Sequence, residues 1–140
     1  MSKKLIDTLN EGRARELRVA IEYMRQHYLA EGMESPPFAG LIKEIAITEM
    51  KHAEEFGERI AYLGGDPTVK PEPIKKQRTL KAMIQSDIAA EESAIALYRK
   101  IIKLAGAEGD VTTRRMVESI LADEEGHLDQ FQTLLGKKGK

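Results

Sequence analysis

One sparse pattern, Glu-x₆-Tyr-x₂₅-Glu-x-x-His, occurs twice in this 140-residue chain and restricts its fold more tightly than any other feature. The first copy is Glu16, Tyr23, Glu49 and His52; the second is Glu91, Tyr98, Glu124 and His127. Each member of the second copy lies 75 residues after its counterpart (16 to 91, 23 to 98, 49 to 124, 52 to 127). The chain is therefore expected to fold as two matched halves, related by an approximate twofold, that carry four acids and two imidazoles to equivalent places.

Those halves are helical. The alternation and β-branched runs that strands require are missing, and breakers divide the chain into four long periodic stretches, so the fold class is all-α. Helix A is expected from about Lys4 to Ala30. Ser35 is a cap candidate, with Pro36 and Pro37 suited to a first turn, for helix B from about Phe38 to Leu63. Gly64, Gly65 and Pro67 stop helix B, and Pro71 and Pro73 keep the next stretch extended. Helix C is expected from about Gln77 to Ala105. Asp110 can cap helix D, which ends near Gly136.

Each helix has roughly 26 residues and is ~40 Å long. Short A–B and C–D links make antiparallel pairs, and a long B–C crossover lays the second pair beside the first. The expectation is an antiparallel four-helix bundle with no fifth helix. Its length suits one domain, residues 1–136, followed by a flexible basic tail, 137–140.

Composition narrows the chemistry. With no cysteine, disulfides, zinc-thiolate sites and iron–sulfur clusters are excluded, so any metal must be held by oxygen and nitrogen. The 22 basic and 23 acidic residues nearly cancel, which gives no field to recruit nucleic acid or an anionic membrane. No run approaches the ~20 apolar residues of a membrane span, and no signal peptide is visible. A soluble cytoplasmic protein is expected.

The repeated acids fall on apolar stripes. Helix D reads Val117, Ile120, Leu121, Glu124, His127, Leu128 and Phe131 at three-four spacing, and helix B reads Ile42, Ile45, Glu49, His52, Phe56 and Ile60. Glu16 and Glu91 sit among the apolar positions of helices A and C, so all six polar groups face the core. A buried ionised carboxylate costs several kcal/mol unless compensated. Two divalent cations balance Glu16, Glu49, Glu91 and Glu124 when both histidines are neutral.

In each Glu-x-x-His pair the two side chains share a face, so the carboxylate can bridge two metals while the imidazole caps one. Such ligands suit iron or manganese, and zinc would satisfy them without redox chemistry. Iron is the first choice. Two bridged irons can each give an electron to dioxygen or hydrogen peroxide, which makes the expected reaction the oxidation of Fe(II).

The motifs resemble the ferritin-like superfamily, in which two helices give one Glu each and two give Glu-x-x-His. Bacterioferritin is the nearest family in the stretches 16–23, 49–53, 86–91 and 123–127. The resemblance implies a ferroxidase of iron storage or detoxification in which Glu16 and His52 are terminal ligands of one iron, Glu91 and His127 of the other, and Glu49 and Glu124 bridge. It implies that Asp87 and Asp123 each orient a histidine of the neighbouring helix pair. It also implies that Met50 meets a haem b shared between two subunits of a homo-oligomer built from dimers.

Two other readings compete. A rubrerythrin-like peroxidase normally has a further glutamate three residues after the helix C ligand, and Ala94 stands there; a manganese catalase-like activity is a related variant. A Dps-like bundle would use Lys137, Lys138 and Lys140 to bind DNA or another protein, but with 5% aromatic residues and no tryptophan the chain offers no stacking surface. His27 lacks a repeat partner, Ile102 standing at its offset, and is expected at the surface or an interface. Tyr23 and Tyr98, two turns beyond Glu16 and Glu91, are expected near the core with hydroxyls in reach of a carboxylate.

Overall fold

A computed structural model describes residues 2–136. Four helices account for most of it: α1 (Lys3–Leu29), α2 (Ser35–Tyr62), α3 (Leu80–Ala107) and α4 (Val111–Leu135). Among the described residues there is no strand. α1 packs on α2 and α3 on α4, and the two hairpins meet through α1 with α3 and α2 with α4. This is the expected antiparallel bundle with one long crossover.

The cap chemistry explains where the helices begin. Ser2, Thr79 and Asp110 each accept a hydrogen bond from a backbone N–H of the first turn, from Leu5, Ala82 and Thr113 respectively. α3 therefore starts at Leu80, three residues later than the sequence suggests, because Thr79 supplies the cap that Gln77 lacks. α2 starts earlier than expected. Ser35 is not its cap: the Ser35 N–H and hydroxyl both donate to the Gly32 carbonyl, which draws Ser35 into the first turn ahead of Pro36. Gly136 closes α4 at φ 79°, a left-handed conformation that favours glycine.

The crossover, residues 63–79, is fastened along α1. Asn10 donates to the Asp66 carbonyl and accepts from the Thr68 N–H, and Arg13 donates to the Thr68 and Ala53 carbonyls. Further along, Arg18 meets Glu72, the Lys75 N–H donates to Glu22, and Arg25 donates to the Gln77 carbonyl. An extended, proline-containing segment makes few hydrogen bonds within itself, such as Lys70 N–H to the Thr68 hydroxyl, so the polar edge of α1 satisfies much of the rest.

The core has two apolar halves with a polar layer between them. One half gathers Leu5, Leu9, Phe56, Ile60, Tyr98, Ile101, Val117 and Ile120; the other gathers Val19, Tyr23, Phe38, Ile42, Ile45, Met83, Ile84 and Phe131. Aromatic pairs set their inner edges. Phe56 and Tyr98 lie 5.5 Å apart between ring centroids, and Tyr23 meets Phe131 edge-on at 5.8 Å. The basic tail expected at 137–140 lies outside the described residues.

Candidate metal centre

All six residues of the repeated pattern that carry ligand chemistry lie in that polar layer. Glu16, Glu49, Glu91 and Glu124 are fully buried, and His52 and His127 are 2% and 8% exposed. Two groups of donor atoms form, each within 4.8 Å: Glu16, Glu49, His52 and Glu124, then Glu49, Glu91, Glu124 and His127. Glu49 and Glu124 belong to both groups. The imidazoles are held at Nδ1, His52 against Glu16 at 3.1 Å and His127 against Glu124 at 2.9 Å.

The tyrosines cross between halves. Tyr23 on α1 donates to Glu91 on α3 at 2.6 Å, and Tyr98 on α3 donates to Glu16 on α1 at 2.9 Å. Each hydroxyl thus fixes the carboxylate of the opposite hairpin, and the matched spacing of the pattern acquires a physical reason. Burial, followed by the charge of the carboxylate each one meets, keeps both phenols well above their ordinary pKa.

The aspartates divide. Asp123 meets the Nε2 atom of His52 at 2.8 Å, bridging α4 to α2 as expected. Asp87 does not orient a histidine. It accepts from the Gln26 side-chain amide at 2.7 Å, and burial raises its pKa well above the ordinary range despite that bond. The repeat counterpart of Asp123 is Thr48 (123 − 75 = 48), whose hydroxyl turns back to the Glu44 carbonyl, so His127 has no equivalent carboxylate from α2.

One residue of the centre escaped the sequence reading. Arg15 is 2% exposed and places its guanidinium among the four glutamates. Its Nη1 donates to Glu16 and Glu49 at 2.8 Å and to Glu124, and its Nη2 donates to Glu91 at 2.9 Å and the Ala90 carbonyl at 3.3 Å. Burial opposes its charge, but the four carboxylates more than compensate and push its pKa well up. No sequence signal pointed to it: Arg15 lies outside the repeated pattern, and 75 residues on stands Ala90.

Protonation follows this packing. Burial works against charge on the histidines, but the bonds and charges of the glutamates outweigh it and raise His52 to about 9 and His127 to about 10. Burial and three neighbouring acids push Glu49 well up. Glu16 is lowered: burial would raise it, and Arg15 and His52 overcome that. The Arg15 guanidinium and the two imidazoles thus carry the positive charge that faces the four acids of this layer, and burial disfavours charge on Glu49.

The residues fit a metal pair. The donors are oxygen and nitrogen only, and the Oε1 atoms of Glu49 and Glu91 are buried without a hydrogen-bond partner. Glu49 Oε1 lies 3.1 Å from the Nδ1 atom of His52, whose ring hydrogen is already directed at Glu16. Such orphaned acceptors are costly in a core and are what a cation would satisfy.

Met50 points away from the centre and is 52% exposed. With Leu17 it lines a groove of about 420 Å³ on the outer face of α1 and α2. Ile47 precedes Met50 by three residues on α2, and Ile21 follows Leu17 by four on α1; both are about half exposed. His27 is half-buried and its Nδ1 lies 2.6 Å from the Ala39 carbonyl, tying the end of α1 to the start of α2.

Fold and centre together define a four-helix carboxylate protein with one long crossover. A ferritin-like domain model matches residues 6–139. Bacterioferritin of Desulfovibrio desulfuricans is 37% identical over 94% of this chain and 74% of its own, and that of Rhodobacter capsulatus 31% identical over 93% and 81%. The solved D. desulfuricans bacterioferritin, whose diiron site was followed through different catalytic states, superposes with a TM-score of 0.87 at 34% identity, covering 98% of this chain and 88% of that one. A ferritin-like diiron-carboxylate protein of Bacillus anthracis superposes at 0.93 with 28% identity over 96% and 99%. The chain belongs to the ferritin-like family, and within it is similar to the bacterioferritins.

Proposed function

We propose that this protein is a bacterioferritin-like ferroxidase, with residues 1–136 acting as one ferritin-like unit that takes Fe(II) as substrate. The observation that carries the reading is that Glu49 and Glu124 alone belong to both donor groups. They are assigned as bridges, Glu16 with His52 and Glu91 with His127 as terminal ligands. Two Fe(II) ions bound there each give up one electron, so that two electrons pass to dioxygen or hydrogen peroxide.

The chain's own part is to position and to exchange protons. Tyr23 and Tyr98 fix the two terminal carboxylates, and Asp123 fixes the His52 ring. A second-row partner of this kind sets ring orientation and raises ligand basicity. Cations arriving there displace the protons that His52 and His127 hold, which limits the build-up of positive charge in the layer.

A rubrerythrin-like reading is disfavoured by Ala94, which is buried against Leu5, Phe56 and Tyr98 and adds no seventh donor. The exposed Ile21, Ile47 and Met50, with the half-buried Leu17 beside them, support assembly through this side, with a haem at Met50 between two copies. Purified protein made with haem supplied and lacking a Soret band would remove the haem assignment.

The bridging assignment has a direct test. Anaerobic protein given two Fe(II) per chain should oxidise them on exposure to oxygen, and Glu49→Ala or Glu124→Ala should lower that rate by a hundredfold or more. Rates like the parent's in both variants would overturn it.

A further inference from the structure

We propose that Arg15 is a built-in cation that occupies the carboxylate layer in place of metal, and that loading the centre requires its guanidinium to withdraw. The inference rests on the metal-centre reading and adds a control that the repeated pattern does not contain.

Three observations carry it. Arg15 contacts all four glutamates, one from each helix, so it engages every acid of the two donor groups, the shared Glu49 and Glu124 included. Its place is specific to one half of the molecule. Ala90 stands at the counterpart position, and its carbonyl accepts from the tip of the guanidinium. A second arginine there would have to enter the same space.

The fit is electrostatic rather than a matched set of hydrogen bonds. Nη1 faces oxygens of three different carboxylates with only two hydrogens to give, and Nε is buried with no partner. Glu49 Oε1 and Glu91 Oε1 also remain without a bond. A guanidinium therefore balances charge here without saturating the donors, which leaves the layer open to a better ligand.

Metal and guanidinium exclude each other on charge. Two divalent cations already match four carboxylates, and a further positive charge bonded to the same oxygens would be surplus in a water-poor layer. Binding must then follow a change of the Arg15 rotamer. Because only the withdrawn form is competent, the apparent dissociation constant rises by the inverse of its population. Arg15 sets the metal concentration at which the centre fills.

The test compares the full-length chain with Arg15→Ala and Arg15→Gln, using Co(II) as a probe that air does not oxidise under these conditions. Calorimetry and visible absorbance should show both variants binding two Co(II) per chain at least about tenfold more tightly than the parent. The metal-free variants should also melt at lower temperature than the metal-free parent, because they lose the internal cation. A second measurement does not depend on any variant folding. With ¹⁵N-labelled arginine in the parent chain, the buried Arg15 Nε–H signal should move and exchange faster with water as Zn(II) reaches two per chain.

Equal affinities in parent and variants, or an Arg15 signal that stays put while two Zn(II) bind, would overturn the plug while leaving the metal centre standing. No binding by parent or variants would overturn the metal centre itself, and the plug with it.

Discussion

His52 and Asp123 show how much of this centre depends on single contacts. The Asp123 carboxylate lies 2.8 Å from the His52 ring nitrogen that faces away from the glutamates, and it selects the orientation in which Nδ1 faces Glu16. Asp123→Asn should weaken metal binding about 10- to 100-fold, the usual consequence of losing such a partner. Co(II) titration measures it, and unchanged affinity would remove Asp123 from the centre. The corresponding position for His127 is Thr48, so Thr48→Ala should have little effect in the same titration.

Protons supply a second prediction at this scale. His52 near 9 and His127 near 10 hold their protons more firmly in the folded state than the ordinary 6.5. A raised folded value gives stability that is complete below the unfolded value and is lost as pH climbs through the folded one. Glu49, raised chiefly by burial, acts in the same direction, whereas the lowered Glu16 contributes stability that is lost on acidification below its ordinary 4.5. Metal-free protein should therefore lose urea resistance between about pH 6.5 and pH 10. A midpoint that is flat or rises over that range would contradict the assigned charges.

At the scale of the helices, close packing between α1 and α2 frames the polar layer. Gly12 sits against Phe56, where an added Cβ would come within 2.9 Å of the ring, and Phe56 in turn supports Tyr98 and its bond to Glu16. Gly12→Ala gains about 1 kcal/mol of helix propensity but forces Phe56 to shift, at a cost of about 1–3 kcal/mol. A net loss of stability with a weaker Tyr98–Glu16 contact is expected; thermal melts and tyrosine ultraviolet difference spectra report the two. A more stable variant with an unchanged tyrosine spectrum would show that this packing does not position the site.

The helices and the six ligand-type residues were legible in the sequence because their signals are periodic. Glu49 and His52, or Glu124 and His127, are polar interruptions of apolar stripes that otherwise run unbroken. The boundaries of α2 and α3 were less legible, since Ser35 and Thr79 are both plausible caps and only the Gly32 carbonyl and the Ala82 N–H distinguish their roles. Asp87 was misread because the resemblance carries a role over by position alone, which says nothing about Gln26 reaching it from α1. Arg15 was invisible for a similar reason. A charged residue beside a ligand reads as a solvated neighbour, whereas its long side chain turns into the core to meet four carboxylates and the Ala90 carbonyl of α3.

For the whole molecule, the two hairpins are not interchangeable halves despite their matched pattern. Ala90 is the repeat counterpart of Arg15 and Thr48 that of Asp123, so the matched pattern is broken at the guanidinium among the glutamates and at the carboxylate that meets the His52 ring. Among the described residues no helix is long and apolar enough to cross a membrane, and the half-exposed apolar positions on α1 and α2 suit contact between copies. The central claim is that this buried layer binds two Fe(II) per chain and oxidises them. Anaerobic titration with Fe(II), followed by an oxygen pulse and detection of ferric absorbance, tests it most directly. The amplitude should rise linearly and break at two Fe(II) per chain, with the fast phase lost in Glu49→Ala. An amplitude with no break, or a fast phase that survives that substitution, would contradict the account.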